Sequence, residues 1–352
     1  MKNFYILSLL IIIPCFNITG QSMTKFENNW EAEPQIESNR KGMDTLVYEN
    51  TLVSLEDFGL YEFAYLTTDD FGNIAGYNFT LERITLFESK NYNDINLLTD
   101  GIGRGPREMK LVRDLQFDEN ENLWAIDLDG GKVTLWSKDD ELIKSFNPNK
   151  KHARPYRIAL CNSFLTILSE QYLGEGLYHN FDLSGKAMNS FMVLSNKNMD
   201  EFKLWSNATY FRGDLTCNDD KVYHVGKFKN YIKKYDQNGN LIFSKKVIEF
   251  EGNHEPLLKV EKRSSSRKGE VKTISGQIEV VNDYLWISFS GKRNSYFYIL
   301  DVYDLEGNYK TSYQFKHPTK EFTTAGKYVY TLETHRDDKK QYISKYKLPI
   351  ID

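Results

Sequence analysis

The sequence lacks long apolar runs beyond its first residues, and it lacks an excess of charge of either sign. No segment after residue 22 of the 352-residue chain is apolar enough to cross a membrane. Lys and Arg number 45 against 49 Asp and Glu, and the signs are interspersed, so a nucleic-acid partner has no support. Apolar residues at the helical spacing i, i+3, i+4 are also absent from the repeats described below, which excludes a helical solenoid.

The first 22 residues, MKNFYILSLLIIIPCFNITGQS, resemble a secretory signal peptide. Lys2 is a short positive region, residues 4–13 are apolar, and Gly20 is a small residue at a suitable cleavage point. Cys15 raises the alternative of a lipoprotein anchor, but that site requires a small residue before the cysteine and Pro14 stands there. We therefore expect a signal peptide over 1–20, no lipid anchor, and a periplasmic, cell-surface or extracellular protein.

The rest of the chain is rich in aromatic residues, with 23 Tyr and 22 Phe, which favours strands. Six segments, starting at residues 69, 117, 161, 217, 281 and 324, share a frame of polar turn, strand, gap, strand, turn and strand. Their period of about 51 residues, with roughly four strands per unit, is typical of propeller blades. The sequence predicts an all-β fold, a six-bladed β-propeller with four-stranded antiparallel blades.

The segments outside the repeat complete the predicted organisation. Residues 45–53 form a strand with no blade of their own, and we expect this N-terminal strand to pair in the last blade and close the ring. The propeller would then be a single domain over 45–352, preceded by a flexible polar leader over 21–44. Residues 251–273 form a basic insertion, read either as a solvated loop or as a flap over a binding face.

Several polar residues of the repeats are interpreted as structural. Asp127 and Asp304 are expected to accept hydrogen bonds at turns or strand ends, and His224 to be packed and hydrogen-bonded. Cys161 and Cys217 occupy the same frame position in neighbouring blades, which would place their Cα atoms beyond the roughly 7 Å that a disulfide tolerates. We therefore expect two buried thiols.

One stretch carries a resemblance to a known family. The pattern Gly103-Arg104-Gly105-Pro106-x-Glu108, followed by strands over residues 115–136, resembles an NHL-type repeat and the G-R-G-P-x-E signature of six-bladed propellers exported by Bacteroidota. The match is close over 101–146, loose elsewhere, and departs at Arg107, where the family usually has glycine. The resemblance implies a propeller fold and export but little chemistry, because the family is largely uncharacterised.

The same glycines could suggest a phosphate-binding loop, but that loop needs a following helix whose N-terminus meets the anion. Residues 109–117 read as a strand, so the glycines are interpreted as the crossing between two blades.

We expect ligands to bind where the chain enters each blade, beside the central channel. Basic and aromatic residues there would suit an anionic or carbohydrate-like ligand through charged donors and stacking faces. The alternative is ordinary surface charge, with Trp205 wedged between blades. The candidate ligand-binding residues are Arg104, Arg107, Glu108, Arg154, Tyr156, Trp205, Tyr210 and His317.

Two functions follow from this interpretation. The first is an exported module that binds a small molecule, glycan or protein. The second is a lactonase-like hydrolase or lyase, since six-bladed propellers include calcium-dependent enzymes with carboxylate, amide and histidine side chains at the channel. None of the six histidines has a metal-ligand spacing such as H-x-x-x-H, so we expect no metal site and no other cofactor. Calcium stays an alternative that no residue pattern of the sequence supports.

Overall fold

The computed structural model describes most of the chain after residue 31. The described residues are 32–37, 39–41, 43–148, 154–169, 176–192, 212–227, 231–248, 275–289, 297–335 and 337–351. The signal peptide, the basic insertion at 251–273, Trp205 and Tyr210 lie outside these ranges. Within them, no helix is long and apolar enough to span a membrane.

Four antiparallel sheets of four strands each follow one another along the chain. The first contains β3 (Phe63–Thr68), β4 (Ile74–Asn78), β5 (Arg83–Glu88) and β6 (Asn91–Leu97). The second contains β7 (Val112–Phe117), β8 (Leu123–Asp127), β9 (Lys132–Trp136) and β10 (Leu142–Phe146). The third contains β11 (Pro155–Leu160), β12 (Phe164–Ser169), β13 (Tyr178–Asp182) and β14 (Ala187–Phe191). The fourth contains β15 (Gly213–Asn218), β16 (Lys221–Gly226), β17 (Ile232–Tyr235) and β18 (Leu241–Lys245).

The last sheet has eight strands: one long strand is shared by two four-stranded groups, which makes seven, and a short N-terminal strand pairs parallel with the long one as the eighth. Its members are β19 (Ser275–Val281), β20 (Tyr284–Phe289), β21 (Phe297–Asp304), β22 (Tyr309–Ala325), β23 (Tyr328–Thr334), β24 (Gln341–Lys347), β1 (Met43–Thr45) and β2 (Tyr48–Ser54). The first part of β22 pairs with β21 and its second part with β23. A short 3-10 helix, Leu55–Phe58, follows β2.

The N-terminal strand pairs where the sequence predicted it would. Strand β2 runs antiparallel to β24, with Tyr48 opposite Tyr346 and Ser54 opposite Tyr342. The all-β architecture of four-stranded antiparallel sheets is thus confirmed. The number of blades, the closure of the ring and the single-domain boundaries stay predictions, and the β2–β24 pairing is the contact that they require.

The hydrophobic core lies between neighbouring sheets. One apolar cluster joins Tyr77 and Ile84 of the first sheet to Val112 and Trp136 of the second, and all four are buried. Each sheet buries both faces in this way, which explains the continuously buried middle strands such as β8 and β12.

A repeated turn connects many of the strands. In each copy an aspartate Oδ1 accepts the backbone N–H four residues later, at 2.8–2.9 Å. The turn therefore fixes the hairpins by the same side-chain cap, as expected for an Asp-initiated turn. The pairs are Asp69–Asn73, Asp118–Asn122, Asp182–Lys186, Asp236–Asn240 and Asp304–Asn308.

Two expectations need correction. The described part of the segment 21–44 is not a free leader, because Arg40 forms a buried ion pair with Asp301 at 2.7 Å and the backbone of Glu33 forms an isolated parallel β-bridge with that of Lys245. The polar sequence predicted solvation, but these polar groups find partners on the sheets.

The cysteines are the second correction, because Cys161 and Cys217 form a disulfide with their Cα atoms 5.3 Å apart. Cys161 directly follows β11 and Cys217 lies in β15, and these first strands of neighbouring sheets contact each other. Equivalent positions in neighbouring sheets are therefore much closer on the first strands than on the outer strands. The prediction used one spacing for all strands.

Candidate functional site

A polar cavity of about 460 Å³ lies where the first strands of the sheets meet. Strands β3, β7, β11, β15 and β19 and the second part of β22 all contribute to its wall. Threonines 67, 68, 216, 323 and 324 provide hydroxyl groups, and Tyr65, Phe117 and Phe297 provide aromatic surface. The cavity thus combines many hydrogen-bonding groups with a few apolar faces, which makes its wall more polar than that of most small-molecule sites.

Most carboxylates and amides of this wall bind the backbone of the neighbouring sheet. The backbone N–H of each recipient residue donates to a side-chain oxygen of the preceding first strand, at 2.6–3.1 Å. These bonds satisfy edge N–H groups that a strand at the cavity would otherwise leave unpaired. The pairs are Asp114–Ile158, Gln116–Leu160, Asp214–Ile278, Gln277–Phe322 and Glu321–Leu66.

Arg157 on β11 is the charge that balances two of these carboxylates. Its guanidinium lies 3.3 Å from Asp114 and 3.3 Å from Asp214, and 5.5 Å from the ring centre of Tyr65. Only 16% of its side chain is exposed. Lys227 and Lys320 also line the cavity, so it contains both signs of charge.

Burial changes the protonation of the acidic groups in the wall. It raises the pKa of Asp114 to about 7, although Arg157 opposes the shift. Burial likewise raises the pKa of Glu279 to about 7, against the hydrogen bond donated by the Thr324 hydroxyl. The pKa values of Asp214 and Glu321 are raised for the same reason. The cavity is therefore less negative near neutral pH than its composition suggests.

None of the described residues predicted to bind a ligand lines this cavity. Arg107 forms ion pairs with Asp100 and Asp140 and lies over the Trp136 ring, at 4.8 Å from its centre. The Glu108 carboxylate accepts the backbone N–H of Gly105 at 2.7 Å. In the described structure these two residues stabilise the approach to β7.

The remaining predicted residues lie in other places. Arg104 is exposed beside a shallow cavity that Asp129 also lines, and Arg154 forms an ion pair with Asp129. Tyr156 is buried, and His317 lies on β22 far along the chain from both arginines. The role of the predicted set in binding a ligand stays a prediction.

The residues interpreted as structural do have structural contacts. His224 is buried and its Nδ1 lies 2.6 Å from the Tyr178 hydroxyl, and burial lowers its pKa to about 3. The Asp127 carboxylate accepts the backbone N–H groups of Lys110, Leu111 and Gly130.

Sequence reasoning missed a cluster of His317, Glu333 and His335. One donor atom from each residue lies within 4.8 Å of the others. The spacing H-x-x-x-H places two ligands on one face of a helix. On a strand, residues i and i+2 share a face, and Glu333 and His335 have this spacing. That spacing was the signal available in the sequence.

Comparisons with known proteins support the fold alone. No family model matches the chain, and no curated protein matches it. A protein of Bacteroides fragilis named as an exported protein has a TM-score of 0.53 at 12% identity, covering 91% of this chain and 99% of that one. A gluconolactonase of Xanthomonas campestris has a TM-score of 0.55 at 9% identity, covering 90% and 99%.

A third structure similar to this chain is a virginiamycin B lyase of Staphylococcus aureus with quinupristin. Its TM-score is 0.50 at 14% identity, covering 82% of this chain and 81% of that one. At these identities the likeness shows a propeller-type fold and carries no substrate across.

Proposed function

We propose that this protein is exported and binds a small carbohydrate-like ligand in the cavity between the first strands. The observation that carries the proposal is the cavity itself, whose wall alternates hydroxyl, carboxylate, amide and ammonium groups with aromatic faces. Sugar hydroxyls both donate and accept hydrogen bonds, and a sugar ring packs on aromatic surface, so each type of wall group has a counterpart.

The charges of the wall favour a sugar that carries an acid group. Arg157, Lys227 and Lys320 are the basic residues of the wall. Burial raises the pKa values of the four carboxylates, and it also lowers the pKa of Lys227. Near neutral pH the cavity is therefore less negative than a count of its acids gives, and Arg157, whose pKa is raised by the neighbouring carboxylates, keeps its positive charge. An acidic saccharide would use that charge, and a neutral one would not.

Export is part of the proposal and rests on the first 20 residues and on the disulfide between Cys161 and Cys217. Disulfides persist in oxidising compartments and are rare in reducing ones. The similarity to the Bacteroides fragilis protein named as exported agrees with this location.

Catalysis in the same cavity is the second candidate function. Asp114 and Glu279 have pKa values of about 7, which is the range that suits a general acid or base at neutral pH. Against it, no histidine is among the described residues of the wall, and most wall carboxylates and amides already bind backbone groups. Binding is therefore the function that the geometry supports better.

Thermal shift with a panel of neutral sugars, uronic acids and sugar lactones tests both candidates. A bound ligand at about 100 times its Kd stabilises the fold by about 2.7 kcal/mol. Lys320→Met should remove the stabilisation by acidic sugars, whereas Lys138→Met, at an exposed turn, should not.

The outcomes separate the two functions. Stabilisation by saccharides with no consumption of them supports binding. Turnover of a lactone that is lost in Glu279→Gln supports the hydrolase. No stabilisation and no turnover with any member of the panel contradicts both.

A further inference from the structure

The cluster of His317, Glu333 and His335 has the chemistry of a metal site and lies apart from the cavity. His317 belongs to β22 near the point where this strand passes from β21 to β23, Glu333 belongs to β23, and His335 directly follows it. None of the three lines the cavity, so this site goes beyond the binding function proposed above. We propose that these three residues bind a divalent transition-metal ion, with zinc as the fitting member of that class.

The buried carboxylate of Glu333 is the first independent observation that supports a cation site. The Glu333 side chain is 0% exposed, and its Oε1 accepts a hydrogen bond from the Tyr346 hydroxyl. Its other oxygen, Oε2, is buried and has no hydrogen-bond partner among the described residues. An unpartnered carboxylate oxygen in the interior is costly, and proteins commonly compensate it with a cation.

The imidazoles face that same oxygen. His335 Nε2 lies 3.4 Å from Glu333 Oε2, is buried, and also has no hydrogen-bond partner in the described structure. The His317 and His335 rings are stacked, with centres 4.0 Å apart and an angle of 24° between their planes. The stacking therefore places the two imidazoles side by side, next to the buried carboxylate.

Aromatic neighbours restrict the movement of the two rings. Tyr342 stacks on His335 with ring centres 4.1 Å apart, and Tyr48 meets His317 edge-on at 6.1 Å. These ring contacts hold the two imidazoles next to the Glu333 carboxylate.

The donor set selects the ion. Two imidazoles and one carboxylate suit zinc, whereas calcium and magnesium prefer oxygen ligands only. In tetrahedral zinc sites the donor atoms are about 3.3 Å apart, given bond lengths of about 2.0–2.1 Å. The present separation of up to 4.8 Å is larger, so binding of the ion requires the three side chains to move toward one another. Because His317 and His335 are only half-buried, water can supply a fourth ligand.

Tyr346 has a supporting role. Its hydroxyl binds the oxygen of Glu333 that does not face the imidazoles, so it orients the carboxylate. Such outer contacts typically change metal affinity by about 10–100-fold when removed. Removal of the Tyr346 hydroxyl should therefore weaken metal binding without abolishing it.

The test is calorimetric titration of the whole mature chain, prepared without a polyhistidine tag and stripped with a chelator, with zinc chloride at pH 7.5. We expect one equivalent to bind. Tyr346→Phe should weaken binding by about 10-fold, and Glu333→Gln and His335→Ala by more. Glu119→Gln, which makes the same change as Glu333→Gln at an exposed turn residue, should bind zinc like the unmodified chain.

Cobalt provides a second readout that does not depend on affinity alone. Cobalt bound by two imidazoles and a carboxylate in tetrahedral geometry should show intense visible bands, and these should be absent in His335→Ala at saturating cobalt. Circular dichroism of every variant checks that it is folded. Lack of saturable zinc binding in the unmodified chain overturns the proposal, as does binding that is unchanged in both folded Glu333→Gln and His335→Ala.

Discussion

Arg157 lies 3.3 Å from Asp114, and this contact joins β11 to β7 at the wall of the polar cavity. The same guanidinium lies 3.3 Å from Asp214 on β15, so one cation serves carboxylates from both neighbouring sheets. Asp114 and Asp214 in turn accept backbone N–H groups of the next first strands. The charges around the cavity are therefore part of the contact between sheets as well as part of the candidate site.

Replacing Arg157 with methionine should destabilise the protein strongly. Removal of one partner from a buried ion pair typically costs about 3–5 kcal/mol, because the other charge stays buried without compensation. We expect a loss of about 3 kcal/mol at pH 8, measured by urea unfolding. Arg104→Met, at an exposed arginine, is the control and should change stability by less than about 0.5 kcal/mol. Equal stability of the two variants would show that the Arg157 contacts do not hold the sheets together.

The buried acids predict a pH dependence of stability that runs opposite to that of ordinary carboxylates. The pKa values of Asp114 and Glu279 are about 7 in the folded protein, above those of unfolded carboxylates, near 4. Between about pH 4 and pH 7 the folded state therefore binds more protons, so stability should fall as the pH rises through this window. One such proton gives a slope of at most about 1.4 kcal/mol per pH unit.

Glu279→Gln isolates one of these groups. The variant keeps an oxygen for the Thr324 hydroxyl and removes the titration, so we expect higher stability at pH 8 and a flatter slope between pH 5 and 7. Glu119→Gln is the matched control at an exposed position. The measurement is the free energy of unfolding in urea at half-unit pH steps, and an unchanged slope in Glu279→Gln would contradict the assignment.

The sequence predicted the fold well because its signals are local. The polar turns and short strands of the six repeated segments, such as the Asp-initiated turn at Asp304, depend on neighbours within a few residues. The same signals recur in six segments, so a strand or turn that is unclear in one segment can be assigned from the others.

The candidate sites were harder to predict because their residues meet only in three dimensions. Asp114 and Ile158 are 44 positions apart, and Glu321 and Leu66 are 255 apart, yet each pair shares a hydrogen bond. Arg107 and Arg154 appeared free in the sequence but have carboxylate partners in the structure. Exposure of a charged residue to a ligand therefore could not be predicted without the contacts across sheets.

The disulfide predicts a large effect of reduction on stability. Cys161 and Cys217 are 56 residues apart, and closing a loop of this length stabilises by about 4 kcal/mol in the chain-entropy model. Replacing both cysteines with alanine should lower the free energy of unfolding by about that amount. Alkylation of the unfolded mature protein before reduction should label no thiol, and two labels per chain would show that the pair is not bonded.

A substitution at Gly103 tests the contact between the first and last residues of the G-R-G-P-x-E pattern. A Cβ atom at this position would lie 1.9 Å from Glu108 Oε2, and that carboxylate is held by the N–H of Gly105. Gly103→Ala must therefore displace Glu108 or the backbone, and such overpacking typically costs about 1–3 kcal/mol. In a Glu108→Ala background the same substitution should cost much less, because the obstructing carboxylate is gone. A double-mutant cycle in urea measures this coupling, and additive effects would mean that glycine is required there by something other than Glu108.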